Sequence, residues 1–411
     1  MISINGDRVI SDLRELATIG AFQTGVDRVA FSAVDIQARR WLVEKLRQAG
    51  LDGSMDRAGN VLGRDPKAAK AILVGSHTDT VPKGGWLDGA LGVIYALEAA
   101  RSAFKSGETS AVGVDVISFA DEEGTFLSCF GSRIFCGDIA ASEIEAAKSK
   151  DGTRLLQALD AVANEAPHHR IDRERHLCFL EAHIEQGPRL EAAGRRIAVV
   201  TGLVGIRRLR VRAFGRADHA GTTPMAMRRD AGAILINFAA WVAQEFPKHA
   251  GPDTVWNIGS IAFQPGAANV VPSQSELVLE FRDTSAEVLD LLEGLVSARV
   301  QAMNGQPVVA VAAETISRIA PAAMTASLGA MISDAASSVG ETAMHIASGA
   351  GHDAMFVARV IPSAMMFVPS IGGRSHDISE NTSDSDIVFG CRVFAEAVAR
   401  ARKNPQAFAA T

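Results

Sequence analysis

The order in which strand and helix patterns follow one another is the feature that most constrains the fold of this chain. Within residues 1–200, short apolar runs at 71–76, 114–120 and 176–184 are typical of buried strands, and 90–104 has a helical pattern. Strands separated by helices favour a mostly parallel sheet with helices on both faces, and such sheets bind ligands at the carboxyl ends of their strands. We therefore predict an α/β fold.

Near Gly205 the pattern changes to strand–helix–strand–strand–helix–strand, which is the order of a ferredoxin-like α+β domain. After about Ala322 the α/β pattern resumes and ends in a long helix. We therefore expect residues 1–206 and 323–411 to form one discontinuous domain. The smaller domain, 207–322, would be inserted into it.

Composition and charge narrow the class of protein. The chain has 411 residues, with 41 Lys and Arg against 47 Asp and Glu, and its net charge of −6 argues against a nucleic-acid footprint. The first residues lack a secretory signal pattern, and no apolar run is long enough to span a membrane. The cysteines have no CxxC spacing, so we expect buried thiols without a disulfide framework. We predict a soluble, cytoplasmic protein that binds neither nucleic acid nor membrane.

Five segments place a His or a carboxylate at a predicted strand end or a helix start: GSHTDTV (75–81), WLDGALG (86–92), ADEEG (120–124), EAHIEQGP (181–188) and GGRSHDISE (372–380). They supply three imidazoles and two carboxylates: His77, Asp88, Glu123, His183 and His376. This N/O set suits zinc, manganese, cobalt or nickel, and the absence of thiolates disfavours a closed structural zinc site. Because five ligands exceed the three of a typical single catalytic zinc, the set predicts two divalent ions if one carboxylate bridges them.

The local positions suggest roles within this set. Asp88, at a helix start beside Gly89, is well placed to bridge the two ions. Glu122 and Glu123 are neighbours after a strand and point in different directions, so one could be a ligand while the other abstracts a proton from water. Asp79 could orient the imidazole of His77. Each residue alone is more often an ordinary hydrogen-bonded or solvated side chain, and only their convergence at one sheet edge favours a site.

A second group of candidates lies in the predicted insert. His219 follows a strand in the small-residue loop GRADHAGTTPM, and Asn269 in GAANVVPS offers an amide for a polar substrate. In LVLEFRD, Arg282 points away from the apolar side of its strand, and its planar fork suits a substrate carboxylate. The alternative is a surface arginine paired with Glu280 or Asp283.

The segment SGAGHDAM (348–355) is a further candidate for binding an anion. Its residues Gly349, Ala350 and Gly351 form a flexible stretch whose backbone amides could cradle a negative charge. His352, in the same segment, can equally be a loop residue that makes ordinary hydrogen bonds.

Seven motifs together resemble a known family: GSHTDTVPKGGWLDGALGV, DEEGTFLSCFGSR, EAHIEQGPRLE, GRADHAGTTPMAMRRDA, NVVPSQSELVLEFRD, SGAGHDA and MMFVPSIGGRSHDISE. They run in the family's order from about residue 75 to 380. The chain is similar to the M20 metallopeptidase-like amidohydrolases, and among them to the group of N-carbamoyl-L-amino-acid hydrolases, β-ureidopropionases and allantoate amidohydrolases.

The resemblance implies a role for each candidate. His77 and His183 would bind one divalent ion and Glu123 and His376 the other, with Asp88 bridging. The resemblance also implies that Glu122 is the general base and that Asp79 supports His77. The inserted domain would be a lid and would build a homodimer, in which His219 reaches the neighbouring subunit's site and stabilises the oxyanion. The implied substrate-binding residues are Gln186, Asn269, Arg282, Gly349, Ala350 and Gly351.

The expected reaction is therefore hydrolysis of the ureido C–N bond of an N-carbamoyl-L-amino acid to the amino acid, carbon dioxide and ammonia. Allantoate is the alternative substrate on the same machinery, because it also carries a carboxylate and ureido groups. Hydrolysis of N-acyl amino acids or peptides fits the motifs less well. A metal-binding protein without catalysis is disfavoured, because the ligands and the base are all present.

Overall fold

The computed structural model describes residues 3–105, 111–304 and 309–408. The chain divides into two compact units, of which the first comprises Met1–Thr201 and Ala323–Thr411 and the second Gly202–Ala322. Among the described residues, no helix combines the length and the apolar character that crossing a bilayer requires.

The helices and strands of the described residues are numbered in chain order. The strands are β1 (Ala21–Phe22), β2 (Gly25–Val26), β3 (Asp52–Met55), β4 (Val61–Arg64), β5 (Lys70–His77), β6 (Val112–Phe119), β7 (His176–Ile184), β8 (Ala198–Leu203), β9 (Gly205–Phe214), β10 (Val255–Gln264), β11 (Gln274–Asp283), β12 (Ala310–Ile319), β13 (Ala322–Ala323), β14 (Met344–Ser348) and β15 (Ser363–Val368). The helices are α1 (Gly6–Thr18), α2 (Ala33–Gln48), α3 (Ala90–Lys105), α4 (Phe130–Cys136), α5 (Ala141–Ala146), α6 (Leu155–Ala158), α7 (Arg189–Ala192), α8 (Ala231–Glu245), α9 (Ala286–Asn304), α10 (Ala326–Ser338), α11 (Ala354–Val357) and α12 (Asp384–Lys403).

The large sheet has a parallel centre and antiparallel edges. Its order is β13-β8-β15-β7-β5-β6-β4-β3, and β14 pairs with β8. The four neighbouring strands β15, β7, β5 and β6 are parallel. Strand β8 runs antiparallel to β15, β4 to β6, and β3 to β4. The predicted α/β class is confirmed; the sheet, which we expected to be mostly parallel, is mixed, with its parallel strands at the centre.

The core explains why the central strands have nearly continuous apolar sequences. Strands β5, β6 and β7 are buried along almost their whole length, since helices cover both faces of a parallel sheet. The helical pattern at 90–104 becomes α3, whose Leu91, Ile94 and Leu97 are wholly buried. Burying each such side chain contributes about 1.5–3 kcal/mol. This packing fixes the strand ends, and with them the residues that follow each strand.

The second unit has its own sheet and core. Strands β9, β10, β11 and β12 form an antiparallel sheet in the order β10-β11-β9-β12, with the connection β9-α8-β10-β11-α9-β12. Its core takes Leu209 and Val211 from β9, Leu279 from β11, and Leu235 and Val296 from the two helices. This element order is that of a ferredoxin-like domain.

Replacement of Gly75 by alanine is expected to destabilise the first unit. Gly75 lies in β5, and a Cβ there would be 1.8 Å from the carbonyl oxygen of Ile117 in the neighbouring β6. Because both strands are buried, neither can move aside, and we expect Gly75→Ala to lower the free energy of unfolding by about 3 kcal/mol or more. Urea unfolding followed by circular dichroism measures the change.

The matched control is Gly294→Ala in α9, where a Cβ would meet no atom of residues 3–105, 111–304 or 309–408 within 4 Å. Alanine favours a helix interior over glycine by about 1 kcal/mol, so this variant should be as stable as the parent or more so. Equal stability of the Gly75 variant and the parent would contradict the close approach of β5 and β6.

Candidate metal centre

The five candidate ligands lie at the carboxyl-terminal edge of the central parallel strands. His77 is the last residue of β5, His183 lies in β7 one residue before its end, and Glu123 follows β6. Asp88 lies just before α3, and His376 follows β15. Because parallel strands end at the same edge of a sheet, residues far apart in the chain are gathered here.

Two clusters of possible ligand atoms share Asp88. One consists of His77, Asp88 and His183 and the other of Asp88, Glu123 and His376, with the atoms of each cluster within 4.8 Å of one another. Oδ1 of Asp88 lies 3.1 Å from Nε2 of His183 and 3.5 Å from Nε2 of His77. Its Oδ2 lies 3.5 Å from Nε2 of His376, which is 3.4 Å from Oε2 of Glu123. The two oxygens of Asp88 thus face different imidazoles.

The donor set fits divalent cations. Nε2 of His77 and Oε1 of Glu123 are buried and have no hydrogen-bond partner among the described residues. Burial raises the pKa of Glu122 well above its ordinary value, and the neighbouring Glu123 carboxylate raises it further. Burial and the Asp88 carboxylate do the same to the pKa of Glu123. A cation between these groups would pair the free ligand atoms and offset the repulsion between the carboxylates.

Backbone carbonyls orient the two buried imidazoles. Nδ1 of His77 donates to the carbonyl oxygen of Asp79 at 3.0 Å, and Nδ1 of His183 donates to that of Ile184 at 2.9 Å. With the hydrogen fixed on Nδ1, Nε2 of each ring carries the lone pair that a metal ion requires. Both Nε2 atoms face Oδ1 of Asp88, and Nε2 of His183 also accepts the backbone N–H of Gly89 at 3.1 Å.

Asp79 contacts both clusters through different atoms. Its carbonyl oxygen holds His77, whereas its carboxylate Oδ1 is 3.9 Å from Nδ1 of that ring. The other carboxylate oxygen, Oδ2, accepts the backbone N–H of Glu123 at 3.3 Å. Asp79 is thus hydrogen-bonded to one candidate ligand of each cluster, His77 and Glu123.

The turn that carries Asp88 is anchored from a distant part of the chain. Gly89 has φ +64°, and a Cβ at this position would lie 2.4 Å from the ring of His77. The backbone N–H groups of Leu87 and Asp88 both donate to Oε1 of the buried Glu380 at 3.0 Å. Glu380 was not among the predicted site residues, although it ends the motif GGRSHDISE.

Glu122 lies beside the clusters without belonging to either. Its Oε2 is 3.6 Å from Nε2 of His77, while its Oε1 faces Sγ of Cys129 at 3.9 Å. Its carbonyl oxygen accepts the N–H of Cys129 at 3.1 Å. Of the two adjacent glutamates, Glu123 therefore joins a cluster and Glu122 stands next to one.

Gln186 is in direct contact with the shared carboxylate. Its backbone has φ +59°, and its Nε2 donates to Oδ2 of Asp88 at 2.8 Å. The same nitrogen is 3.4 Å from Nε2 of His376, and Oε1 of Gln186 is buried without a partner in the part of the chain that the structure describes. Its side chain therefore has an unused acceptor at the clusters.

The loop of Gly349, Ala350 and Gly351 is joined to the clusters through its neighbour His352. Ser348 accepts the N–H of Ala350 at 3.1 Å and lies 3.1 Å from Nε2 of His352. The buried ring of His352 packs against that of His183, with centroids 4.5 Å apart. Burial lowers the pKa of His352 well below its ordinary value. The residue that follows the loop, His352, thus packs against His183, one of the candidate ligands.

His219 and Asn269 lie together in the second unit. Nδ1 of the exposed His219 accepts the N–H groups of Gly221 at 3.0 Å and Thr222 at 3.2 Å, so the neutral ring carries its hydrogen on Nε2. The carbonyl of Asn269 accepts the N–H of Ala220 at 2.9 Å, which joins the two loops. His219 is thereby arranged as a hydrogen-bond donor.

Arg282, in the same unit, pairs with its neighbour on the strand. Its Nε and Nη2 donate to Oε1 of Glu280 at 2.9 and 2.7 Å. Both residues lie on the face of β11 opposite the buried Leu279 and Phe281, as the alternation predicted. The surface pairing that the sequence left open is thus present in the structure.

The chain matches known proteins over nearly its whole length. The model of peptidase family M20/M25/M40 matches residues 73–400. The N-carbamoyl-L-amino-acid amidohydrolase of Paenarthrobacter aurescens is 36% identical, over 94% of this chain and 96% of that protein. The ureidoglycolate hydrolase of Oryza sativa subsp. japonica is 31% identical, over 97% of this chain and 85% of that one.

Among solved structures, an amidase of the hydantoinase/carbamoylase family from Burkholderia phymatum is 44% identical. It superimposes with a TM-score of 0.91, over 98% of this chain and 99% of that chain. The chain therefore belongs to peptidase family M20/M25/M40 and is a hydrolase, which confirms the family that the motifs indicated.

Proposed function

We propose that this protein hydrolyses the ureido C–N bond of N-carbamoyl-L-amino acids, releasing the L-amino acid, carbon dioxide and ammonia. The observation that carries the proposal is the pair of ligand clusters around Asp88, with the buried carboxylate of Glu122 beside them. The similarity to an N-carbamoyl-L-amino-acid amidohydrolase supports the ureido group as the bond cleaved.

Two divalent ions would be held in this centre. His77 and His183 would bind one ion, Glu123 and His376 the other, and Asp88 both; zinc, manganese, cobalt and nickel all suit this set. When bound, the ions would supply positive charge that polarises the substrate carbonyl and lowers the pKa of a water molecule.

Glu122 would carry the proton. Its Oε2 faces the clusters, whereas its Oε1 faces Cys129, so Oε2 is the oxygen that takes a proton from the attacking water. Because burial raises the pKa of this carboxyl, the carboxylate is a stronger base than an exposed glutamate. The protonated carboxyl then gives its proton to the leaving nitrogen.

The remaining residues would bind the substrate. Gln186 offers an unused acceptor to the ureido N–H groups. Within a homodimer built through the second unit acting as a lid, His219 would donate from Nε2 to the developing oxyanion in the neighbouring subunit's site. We also assign recognition of the substrate and its carboxylate to Asn269, Arg282, Gly349, Ala350 and Gly351.

Allantoate is a second candidate substrate. It combines a carboxylate with ureido groups, and the similarity to a ureidoglycolate hydrolase supports ureido acids other than carbamoyl amino acids. The same Glu122 and the same clusters would serve both substrates.

A substrate panel tests the proposal. The protein is reconstituted with Mn²⁺ or Zn²⁺, and ammonia release is measured from N-carbamoyl-L-α-amino acids, N-carbamoyl-β-alanine and allantoate. N-acetyl amino acids are scored by release of the amino acid, and the N-carbamoyl-D-amino acids serve as matched controls. We expect kcat/KM for the best N-carbamoyl-L-amino acid to exceed that of its D-isomer and its N-acetyl analogue by about 10²-fold. A preference for allantoate selects the second candidate, and a preference for N-acetyl substrates rejects both.

A further inference from the structure

Arg39 is a wholly buried cation that no motif singled out. It lies in α2 with 0% exposure. Its Nε donates to Oδ2 of Asp35 at 2.9 Å, and its Nη1 donates to the carbonyl oxygens of Gly59 at 2.9 Å and Phe119 at 3.1 Å. Its Nη2 donates to Oδ1 of Asp79 at 3.3 Å. One planar group therefore joins α2, the turn between β3 and β4, the end of β6 and the segment after β5.

Two of the four acceptors of Arg39, Phe119 and Asp79, belong to the segments that carry candidate ligands. Phe119 is the last residue of β6, four positions before Glu123, and Asp79 is two positions after His77 at the end of β5. The carbonyl oxygen of Asp79 in turn accepts a hydrogen bond from Nδ1 of His77. Its carboxylate accepts one from the backbone N–H of Glu123. The contacts of Arg39 thus continue through Asp79 to one ligand of each cluster.

The charge of Arg39 also matters to this arrangement. Asp79 is buried among the acidic groups of the centre and would repel them if it were unpaired. The guanidinium of Arg39 supplies the opposite charge at Oδ1 of Asp79, 3.3 Å from its Nη2. A lysine in its place would keep the charge but could not hold all four acceptors, since its ammonium is a point charge and not a planar fork.

We propose that Arg39 is a positioning residue, which acts through Asp79 to set the spacing between His77 and Glu123 and so between the two ion sites. This inference rests on the proposed metal-dependent function.

The test measures metal binding by the metal-free protein, a readout independent of turnover. Mn²⁺ is titrated into the wild-type protein and into Arg39→Lys at one pH, with circular dichroism as a check on folding. Replacing a residue that orients metal ligands typically weakens metal affinity about 10–100-fold, and we expect a loss of that size. At a fixed, subsaturating Mn²⁺ concentration, kcat should fall in step with the lower metal occupancy, whereas KM for the substrate should change little.

Arg175→Lys is the matched control. Arg175 is also a nearly buried arginine of the first unit, and its guanidinium donates to both oxygens of Asp115 at 2.6 and 2.8 Å and to the carbonyl of Asp65 at 2.9 Å. It precedes β7 and therefore lies at the opposite end of the strands from His183. We expect both Arg175→Lys and Arg39→Lys to have a lower free energy of unfolding than the wild type. The Mn²⁺ affinity and the turnover of Arg175→Lys should nevertheless stay within about twofold of wild type.

The outcomes separate the two proposals. If the wild-type protein binds no Mn²⁺, the metal-dependent function fails. If the wild type binds Mn²⁺ and Arg39→Lys binds it equally well, Arg39 is only structural and the inference is overturned. Should Arg39→Lys not fold, Asp79→Asn tests the same link, because it keeps the size of the side chain but removes the charge that pairs with Arg39. We expect this variant to bind Mn²⁺ about tenfold more weakly, and unchanged affinity would overturn the inference.

Discussion

Glu122→Gln is expected to lower kcat about 10²–10⁴-fold, the contribution that a positioned general base typically makes. Glutamine matches glutamate in size but cannot accept a proton, and Glu122 belongs to neither ligand cluster. Bound metal should therefore remain at the wild-type level. Initial rates of ammonia release at saturating N-carbamoyl substrate, together with the metal content of the same preparation, measure both effects.

The control for this change is Glu145→Gln, at an exposed position on α5. It removes one negative charge from the same unit and should leave kcat unchanged. If Glu122→Gln keeps wild-type turnover, the base is another residue. If it loses both turnover and metal, Glu122 belongs among the ligands.

Asp88→Asn is expected to have the second large effect, on metal content and on turnover together. Oδ1 of Asp88 faces His77 and His183, whereas Oδ2 faces His376. An asparagine offers only one oxygen, so it can serve only one cluster, and it lacks the negative charge shared between them. We expect the bound Mn²⁺ to fall from two ions to at most one per chain and kcat to fall about 10³-fold.

The stoichiometry is measured by elemental analysis after removal of excess Mn²⁺, and the shift in melting temperature on adding Mn²⁺ should shrink with it. Asp334→Asn, at an exposed position on α10, is the control and should keep the wild-type values of both. Two ions per chain in Asp88→Asn would show that the two clusters do not depend on a shared carboxylate.

The ligand set could be predicted from the sequence because each residue carries a local signal. His77 ends a continuous apolar run, His183 lies at the end of another, and Asp88 stands beside a glycine at a helix start. Parallel strands bring their ends to one edge, so a pattern of polar residues after strands predicts a site without any knowledge of tertiary contacts. The edge strands β3, β4 and β8 lacked such a signal, because they are short or contain glycine.

The residues behind the ligands could not be predicted in this way. Arg39 lies in a helical segment rich in charge, where an arginine is normally exposed. Its burial depends on Gly59, Phe119 and Asp79, which come from three other segments. Glu380 belongs to a recognised motif, but its partners Leu87 and Asp88 are almost 300 positions away. Such roles arise only from long-range packing, which periodicity and spacing do not encode.

The position of β15 in the sheet has a consequence for how the protein matures on the ribosome. This strand pairs with β7, and His376 follows it, whereas His77 and Asp88 are synthesised about 300 and about 290 residues earlier. A nascent chain therefore has only part of the ligand set until His376 has emerged. Contacts so far apart in sequence form late and slowly. The cluster of Asp88, Glu123 and His376 is accordingly completed after that of His77, Asp88 and His183, so a cation held by Glu123 and His376 would bind later than one held by the two buried imidazoles.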